Sequence, residues 1–358
     1  MIKECRIEGF KSFLDESIKL GALTIFTGLN NSGKSSAIQA IRMALSGSSK
    51  EGPYIEGLGG YQDLSSKFSG KDAPIAITLT NNSGNIISAL QMTRNDYKFT
   101  GTGSLPLTQF ISADRYGPRI GLPIIRDDEN FLNVGCRGEF SAHYGSMLES
   151  SIVAPEMRHP SCKSNTLKHQ LTWWMSELSP GVKLEFNVSK KYDSSQLEVN
   201  DLRPTNSGFG ISYVLPVLLS LLTMSGKMGD DDSNPKVNSW FKTLRHMGGV
   251  LLIENPEAHL HPRGQTIIGQ LAALAAASGV QVLLETHSDH VVDGVRLAVK
   301  QEPSVDADMV RIKFFNKEPH EFSKVIDIEV KPDGKLGQWP KGFFDQGSLN
   351  LRALAMKV

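Results

Sequence analysis

The fold is decided by the stretch ALTIFTGLNNSGKSSAIQAIRMAL, residues 22–45. An apolar run of strand length leads into residues 28–35, GLNNSGKS, which fit the pattern G-x-x-x-x-G-K-[ST]. A helical pattern follows at once, with Ile38, Ile41 and Leu45 at three- and four-residue steps. Because this motif requires a strand before it and a helix after it, we interpret residues 28–35 as a phosphate-binding loop, called the phosphate loop below.

The residue types of the phosphate loop suit anion capture. Gly28 and Gly33 let the backbone turn tightly, so that successive N–H groups point at phosphate oxygens. Lys34 supplies a mobile charge for the β- and γ-phosphates, and Ser35 offers a hydroxyl to Mg²⁺. The predicted nucleotide-binding residues here are Gly28, Asn30, Asn31, Ser32, Gly33, Lys34, Ser35 and Ser36.

Composition sets the broad class of the protein. The chain has 358 residues, 40% of them apolar and 21% charged, with 38 basic and 38 acidic side chains. Such a chain has a real core and room for one large or two ordinary domains. The equal numbers of basic and acidic side chains give no overall sign of a nucleic-acid partner. They do not exclude a local basic groove that binds one. Cys5, Cys136 and Cys162 form no C-x-x-C pair, which argues against a zinc site and fits a reducing cytoplasm.

The termini and apolar stretches carry no membrane signal. The opening MIKECRIEGF alternates apolar and charged residues and predicts a strand rather than a signal peptide. The longest apolar stretch, residues 213–224, is too short to span a bilayer. We therefore expect a cytoplasmic protein without membrane segments.

Periodicity and turn residues predict the remaining elements of the first two thirds. Apolar–polar alternation separated by NNSG and RND predicts an antiparallel meander, and SGKMGDDDSNPKV predicts a mobile loop. The predicted elements are strands at 3–10 and 16–28, the meander at 74–100, a helix at 163–178, a hairpin from LEFNVSKK and QLEVN, a helix within 206–222 and the loop at 225–237.

Three side chains in this part leave two interpretations open. Arg115 and Arg119 follow a predicted strand and can clamp a phosphate or carboxylate, or form surface salt bridges. Trp173 falls off the apolar stripe of its helix, so it can stack on a base or a partner protein, or pack half-buried.

The second half of the chain predicts a parallel α/β unit. An apolar strand at 250–253 is followed by Glu254 and Glu257, then by a helix at 264–278 and a strand at 280–287 that ends in His287. Ligands bind at the carboxyl ends of such strands. Glu254 can hold Mg²⁺ through water, and His287 can donate a hydrogen bond to the γ-phosphate.

A second anion cradle is predicted at the signature turn, NSGFG, residues 206–210, which opens a helix. Its predicted ligand groups are at Ser207, Gly208 and Gly210. A chain usually needs only one such cradle to bind its own nucleotide. The signature turn is therefore expected to serve the nucleotide of a partner subunit.

The order of these motifs resembles the ABC-type ATPase heads of the SMC, RecF and OLD branch. The segments IEGFKSF, GLNNSGKSS, ENPEAHLHP and ETHSDH carry the resemblance, and the tail GQWPKGFFD is similar to that of small OLD-like ATPases. The resemblance implies ATP and Mg²⁺ as cofactors and a head-to-tail homodimer with two ATP at its seam. It also implies a metal role for Gln62, which is otherwise a solvated loop residue. Some relatives, the PtuA-type and retron-associated ATPases, act in antiphage defence.

The chain departs from the family pattern in two places. The signature turn is NSGFG rather than LSGGQ. Asn255 stands where active relatives carry the glutamate that polarises the attacking water, and an amide cannot accept that proton. We therefore expect slow hydrolysis, with Asn255, Glu257 and His287 as the catalytic candidates.

The resulting fold prediction is an α/β ABC-type head with a mixed sheet flanked by helices, an antiparallel lobe and an irregular arm. The expected segments are a nucleotide lobe at 1–110, an arm or lid at 111–200, a lobe with the signature turn and both strand ends at 201–320, and a cap at 321–358.

Two functions compete on this basis. The first is an ATP-dependent switch that holds or activates an effector in trans, a nuclease or toxin, in antiphage defence, because too few residues follow the last predicted ATPase helix for a nuclease module. The alternative is a RecF- or SMC-like DNA-binding ATPase in repair or maintenance. A transporter ATPase fits the motifs poorly.

Overall fold

The computed structural model describes residues 1–47, 52–102, 104–126, 132–206, 208–229 and 234–356. The chain divides into two compact units. Unit 1 comprises Met1–Leu105, Glu285–Asp289 and Val310–Val358, and unit 2 comprises Pro106–Leu284 and His290–Met309. These boundaries differ from the four consecutive segments expected, because strands near the C-terminus pair with a strand near the N-terminus.

The described part of the chain combines runs of consecutive strands with a later segment in which strands and helices alternate. The strands are β1 (Glu4–Glu8), β2 (Asp15–Lys19), β3 (Leu23–Gly28), β4 (Ile75–Thr80), β5 (Ile86–Met92), β6 (Tyr97–Thr100), β7 (Leu107–Ile111), β8 (Leu122–Pro123), β9 (Leu184–Ser189), β10 (Ser194–Val199), β11 (Gly249–Glu254), β12 (Gln281–Glu285), β13 (Val310–Asn316) and β14 (Lys324–Ile328). The α-helices are α1 (Lys34–Leu45), α2 (Tyr61–Leu64), α3 (Ser141–Leu148), α4 (Leu167–Leu178), α5 (Phe209–Met224), α6 (Pro235–Met247), α7 (Pro262–Ala277), α8 (Asp289–Gln301) and α9 (Gln346–Ala355).

Unit 1 contains an antiparallel sheet in the order β2-β1-β4-β5-β6. Ile75, Ile77 and Leu79 of β4 are buried and alternate with less buried residues, as one covered face of a sheet requires. The meander predicted over 74–100 is confirmed. The hydroxyl of Ser88 in β5 donates to the carbonyl oxygen of Ala44 at 2.7 Å and so ties this sheet to α1.

The strand that enters the phosphate loop is held by the C-terminal part of unit 1. β3 pairs in parallel with β13, and β13 pairs antiparallel with β14, which gives a mixed arrangement. The single strand predicted at 16–28 is wrong, because the chain breaks it into β2 and β3. The break lies at Gly21, whose N–H donates to the side-chain oxygen of Thr24 at 2.9 Å.

Unit 2 places helices around parallel strands. β11 pairs in parallel with β7, and β12 lies beside β11; the last residue of β12, Glu285, is assigned to unit 1. β9 and β10 form the predicted hairpin, which is confirmed. Helix α5 is buried at every residue from Val214 to Met224, so it is the central helix of this unit.

The predicted loop at 225–237 contains the start of a helix. Its residues 230–233 lie outside the described residues, but α6 begins at Pro235. The side chain of Asn234 accepts a hydrogen bond from the N–H of Lys236 at 3.0 Å, and proline suits the first helical position. Asn-Pro at this point is thus a helix start, and the loop prediction is wrong from residue 235 onward. None of the described helices is long and apolar enough to cross a membrane.

Candidate nucleotide-binding site

The phosphate loop has the backbone geometry that its glycines predict. Gly28 and Gly33 adopt φ values of 141° and 108°. A Cβ atom at Gly28 would lie 2.2 Å from the carbonyl oxygen of Phe315, and one at Gly33 would lie 2.7 Å from the hydroxyl of Ser323. Glycine is therefore required at both positions for conformation and for space.

Two buried side chains of the loop present polar groups. Lys34 is 3% exposed, and its Nζ donates to the carbonyl oxygens of Gly28 at 3.1 Å and Leu29 at 2.8 Å. Burial lowers the pKa of the Lys34 amine, and the charge of Glu285 opposes that shift. Ser32 is 2% exposed, and its hydroxyl has no hydrogen-bond partner among the described residues. A buried hydroxyl in this condition suits a loop that receives a polar ligand.

A cavity of about 570 Å³ opens beside the phosphate loop within unit 1. Its loop-side lining is Asn31, Gly33, Lys34, Ser35 and Ser36, and its remaining lining is Lys11, Ser12, Asp63, Ser65, Lys67, Phe68 and Lys317. Four lysines make the cavity attractive to anions, and Phe68, 37% exposed, offers an aromatic face. A nucleoside triphosphate combines these two chemistries.

Glu285 is a site residue that sequence reasoning missed. The hydroxyl of Ser35 donates to Oε1 of Glu285 at 2.9 Å, and Glu285 is 4% exposed. The N–H of Thr286 donates to the carbonyl oxygen of Phe26 at 3.0 Å, which fixes this segment on the end of β3. The available signal was an apolar strand that ends in an acid, VLLE, just before the predicted histidine.

His287 lies in the same segment of unit 1 as Glu285. Its side chain reaches solvent, yet partial burial, followed by the charge of Lys34, lowers the pKa of its imidazole. His287 is therefore a neutral group at pH 7, able to donate from one ring nitrogen.

Unit 2 assembles the acidic strand end around Arg115. The guanidinium of Arg115 is buried and donates from Nη1 to the carbonyl oxygens of Ser112 and Glu254, each at 2.8 Å, and from Nη2 to that of Asn255 at 2.7 Å. The carboxylate of Glu254 accepts from the N–H of Ala113 at 3.2 Å. Burial lowers the pKa of Arg115 to about 10, against the charge of Glu257, so the guanidinium stays protonated at pH 7.

The two interpretations of the arginines are resolved only for Arg115. A surface salt bridge is wrong for it, because its side chain is 2% exposed and its contacts are backbone carbonyl oxygens. Arg119 is exposed and lies over the ring of Tyr116 at 4.0 Å. Trp173 is 43% exposed and its ring stacks on that of His159, with the ring centroids 5.2 Å apart, so both interpretations of it stay open.

The start of α5 packs against the loop that follows Glu254. Gly208 is the N-cap of α5, and a Cβ atom at Gly210 would lie 3.0 Å from the carbonyl oxygen of His259. The ring of Tyr213 lies 4.3 Å from that of His259. The signature turn and the acidic loop therefore form one group in unit 2, while Ser207 lies outside the described residues.

Gln62 is exposed on the short helix α2 and is not among the residues that line the cavity. Its metal role stays a prediction.

Three regions of the chain match known families. Residues 4–120 match a family described as "AAA domain", and residues 176–293 match one described as "AAA domain, putative AbiEii toxin, Type IV TA system". Residues 305–354 match a family described as "Protein of unknown function (DUF3696)". No curated protein matches the sequence.

Solved structures of ATPase heads match nearly the whole chain. An SMC head bound to the C-terminal winged-helix domain of ScpA is 15% identical over 92% of this chain and 98% of that one, with a TM-score of 0.52. The SMC head of Pyrococcus furiosus with an extended coiled coil, bound to the C-terminal domain of ScpA, is 12% identical over 99% of both chains, with a TM-score of 0.51. The recombination mediator RecF is 13% identical over 88% of this chain and 96% of that one, with a TM-score of 0.46. The chain is thus similar to AAA-domain ATPases in both regions that carry site residues, and its mixed sheet, flanking helices and antiparallel strands form the fold of an ABC-type ATPase head.

Proposed function

We propose that the protein binds ATP with Mg²⁺ in the cavity beside the phosphate loop and works as a dimeric, slowly hydrolysing switch for an effector protein in trans. The observation that carries the proposal is the cavity itself, in which Lys34 and Ser35 border the same space as Phe68. The backbone N–H groups of the loop and the start of α1 bind the phosphates, and Phe68 stacks on the base.

The metal requirement follows from the donor set. The oxygens of Ser35 and of the buried carboxylate beside it are hard ligands, which fit Mg²⁺. Bound Mg²⁺ supplies neutralisation of phosphate charge. Lys34 adds a second cation, and neutral His287 donates a hydrogen bond to the terminal phosphate.

We propose slow hydrolysis because the residue after Glu254 is an asparagine, Asn255. Asn255 bears an amide, which orients a water but does not accept its proton, and loss of a general base costs about 10²–10⁴ in rate. Glu257 and His287 are the groups left to accept that proton. Slow hydrolysis would leave the protein in a long-lived ATP-bound state, as a switch requires.

Exposed apolar side chains support the homodimer. Leu29 on the phosphate loop is 62% exposed, and Phe209 at the start of α5 is 58% exposed. A head-to-tail dimer covers both, and gives Gly208 and Gly210 a phosphate of the partner's nucleotide to bind. The matched family description that names a toxin supports an effector of that kind. The proposed role in antiphage defence comes from the resemblance to OLD-like ATPases, and the proposed cytoplasmic location comes from the cysteine usage.

Mass in solution with and without ATP and Mg²⁺ tests the proposal. We expect a monomer without nucleotide, a dimer with it, and a monomer in Lys34→Ala under both conditions. Single-turnover hydrolysis should be slow, and capture from the native host should bring down one effector protein. Steeply salt-dependent, ATP-dependent DNA binding without a protein partner would instead support the RecF- or SMC-like alternative.

A further inference from the structure

The carboxylate of Glu285 is a buried acid placed beside the phosphate loop by chain topology. It lies 250 residues from Ser35 in the sequence, yet its Oε1 accepts the Ser35 hydroxyl at 2.9 Å. Only 4% of the residue is exposed. A buried carboxylate is costly unless charge or hydrogen bonds compensate it.

We propose that Glu285 and Ser35 together form the protein's ligand pair for the divalent cation that accompanies the nucleotide; this inference rests on the proposed function. Mg²⁺ keeps several waters and takes only one or two carboxylates besides the substrate's phosphates. One buried carboxylate and one hydroxyl at the rim of a phosphate cavity fit that requirement. Ser35 lines the cavity in which the phosphates are proposed to bind, and its hydroxyl contacts the carboxylate of Glu285.

Glu254, the carboxylate expected from the sequence, is engaged differently. Its Oε2 accepts the N–H of Ala113 at 3.2 Å, and its carbonyl oxygen is held by Arg115. These contacts fix Glu254 as part of the strand end in unit 2. Glu285, by contrast, accepts a hydrogen bond from a phosphate-loop side chain.

The competing interpretation is structural: Glu285 only accepts the Ser35 hydroxyl and offsets the charge of Lys34. Glu285→Gln separates the two roles, because the amide oxygen still accepts the hydrogen bond while the negative charge is gone. Its control is Glu56→Gln, at an exposed glutamate of unit 1, and Glu254→Gln tests the competing carboxylate that the sequence predicts.

The experiment measures the affinity of the full chain for a fluorescent ATP analogue, in excess MgCl₂ and in EDTA. We expect Glu285→Gln to lose about tenfold or more of the gain that Mg²⁺ gives the wild type, with its affinity in EDTA unchanged or higher. Glu56→Gln should keep the wild-type gain, and Glu254→Gln should lose less of it than Glu285→Gln. An unchanged gain in Glu285→Gln, or its loss in Glu254→Gln alone, overturns the inference.

A second variant guards against a folding defect. Glu285→Cys should lose the gain from Mg²⁺ and recover one from Cd²⁺, because a thiolate prefers the softer cation. A structural role gives no such rescue, so absence of recovery in a protein with a wild-type melting curve counts against the inference. If the wild type binds no nucleotide with either Mg²⁺ or EDTA, the proposed function fails instead.

Discussion

Arg115 donates from Nη2 to the carbonyl oxygen of Asn255 at 2.7 Å, so it holds the backbone of the residue that replaces the expected catalytic glutamate. The same guanidinium holds the carbonyl oxygens of Ser112 and Glu254. One buried cation therefore holds three backbone carbonyl oxygens at the acidic strand end.

Replacement of Arg115 by Met should destabilise the protein. Three carbonyl oxygens lose their donor in a buried setting, and we expect the free energy of unfolding to fall by at least about 2 kcal/mol. Arg119→Met, which removes an exposed arginine from the same segment, should stay within about 0.5 kcal/mol of the wild type. Urea unfolding measures both variants, and equal midpoints would refute the structural role of Arg115.

Asn255 should tolerate Gly better than Ala. Its φ of 44° lies in the left-handed region, which Asn and Gly adopt readily. In other residues this conformation costs about 1 kcal/mol of conformational free energy. We expect Asn255→Ala to lose about that much stability and Asn255→Gly only a few tenths. Asn238→Ala, on the exposed face of α6, is the control and should be nearly neutral. If Ala and Gly behave alike at position 255 in urea unfolding, the strained conformation is refuted.

Gly28→Ala should damage both stability and nucleotide binding. Its Cβ would meet the carbonyl oxygen of Phe315 at 2.2 Å, and its φ of 141° disfavours any side chain. We expect a loss of about 2 kcal/mol or more and no measurable ATP binding. Gly70→Ala, where a Cβ meets nothing within 4 Å, should resemble the wild type in thermal unfolding and ATP titration. Normal ATP affinity in Gly28→Ala would contradict the proposed role of the loop.

Phe68→Ala should weaken ATP binding because it removes the contact with the adenine base, while the contacts with the phosphates remain. Stacking contributes about 1–3 kcal/mol per base, so we expect the Kd for ATP to rise about 5- to 150-fold while that for tripolyphosphate stays unchanged. Phe68→Trp should keep ATP affinity. Tyr97→Ala is the control, because Tyr97 is 38% exposed against 37% for Phe68 and lies on β6, outside the cavity lining. Equal losses for ATP and tripolyphosphate would exclude stacking on Phe68.

Polar substitution of Leu29 or Phe209 should weaken the ATP-dependent dimer. Leu29→Ser and Phe209→Ser each remove an exposed apolar side chain that the proposed seam covers. Light scattering with ATP and Mg²⁺ should show a higher dimer dissociation constant, by about tenfold, whereas Ile86→Ser on β5 should not change it. Dimers of wild-type strength in both variants would place the interface elsewhere.

Local signals in the sequence predict the parts of the site that are local in space. The phosphate loop, the meander and the β9–β10 hairpin need only a short window, because their turns and periodicity are contiguous. The Ser35–Glu285 pair joins residues that no window contains, and two acid-ended strands compete for the metal role. Arg115 was open to two roles, an anion clamp and a surface salt bridge, because burial of a guanidinium against carbonyl oxygens leaves no sequence pattern. Helix α3 was missed because residues 120–160 are rich in Gly and Pro and weak in periodicity.

The pairing of β3 with β13 has a consequence for biosynthesis. The backbone that closes over Gly28 belongs to Phe315, so the phosphate loop is completed by a segment that leaves the ribosome long after the loop itself. A nascent chain released early, or a fragment that stops before residue 310, carries the complete motif at residues 28–35 but lacks the neighbouring strand. Nucleotide can therefore stabilise the folded chain only after β13 has been synthesised.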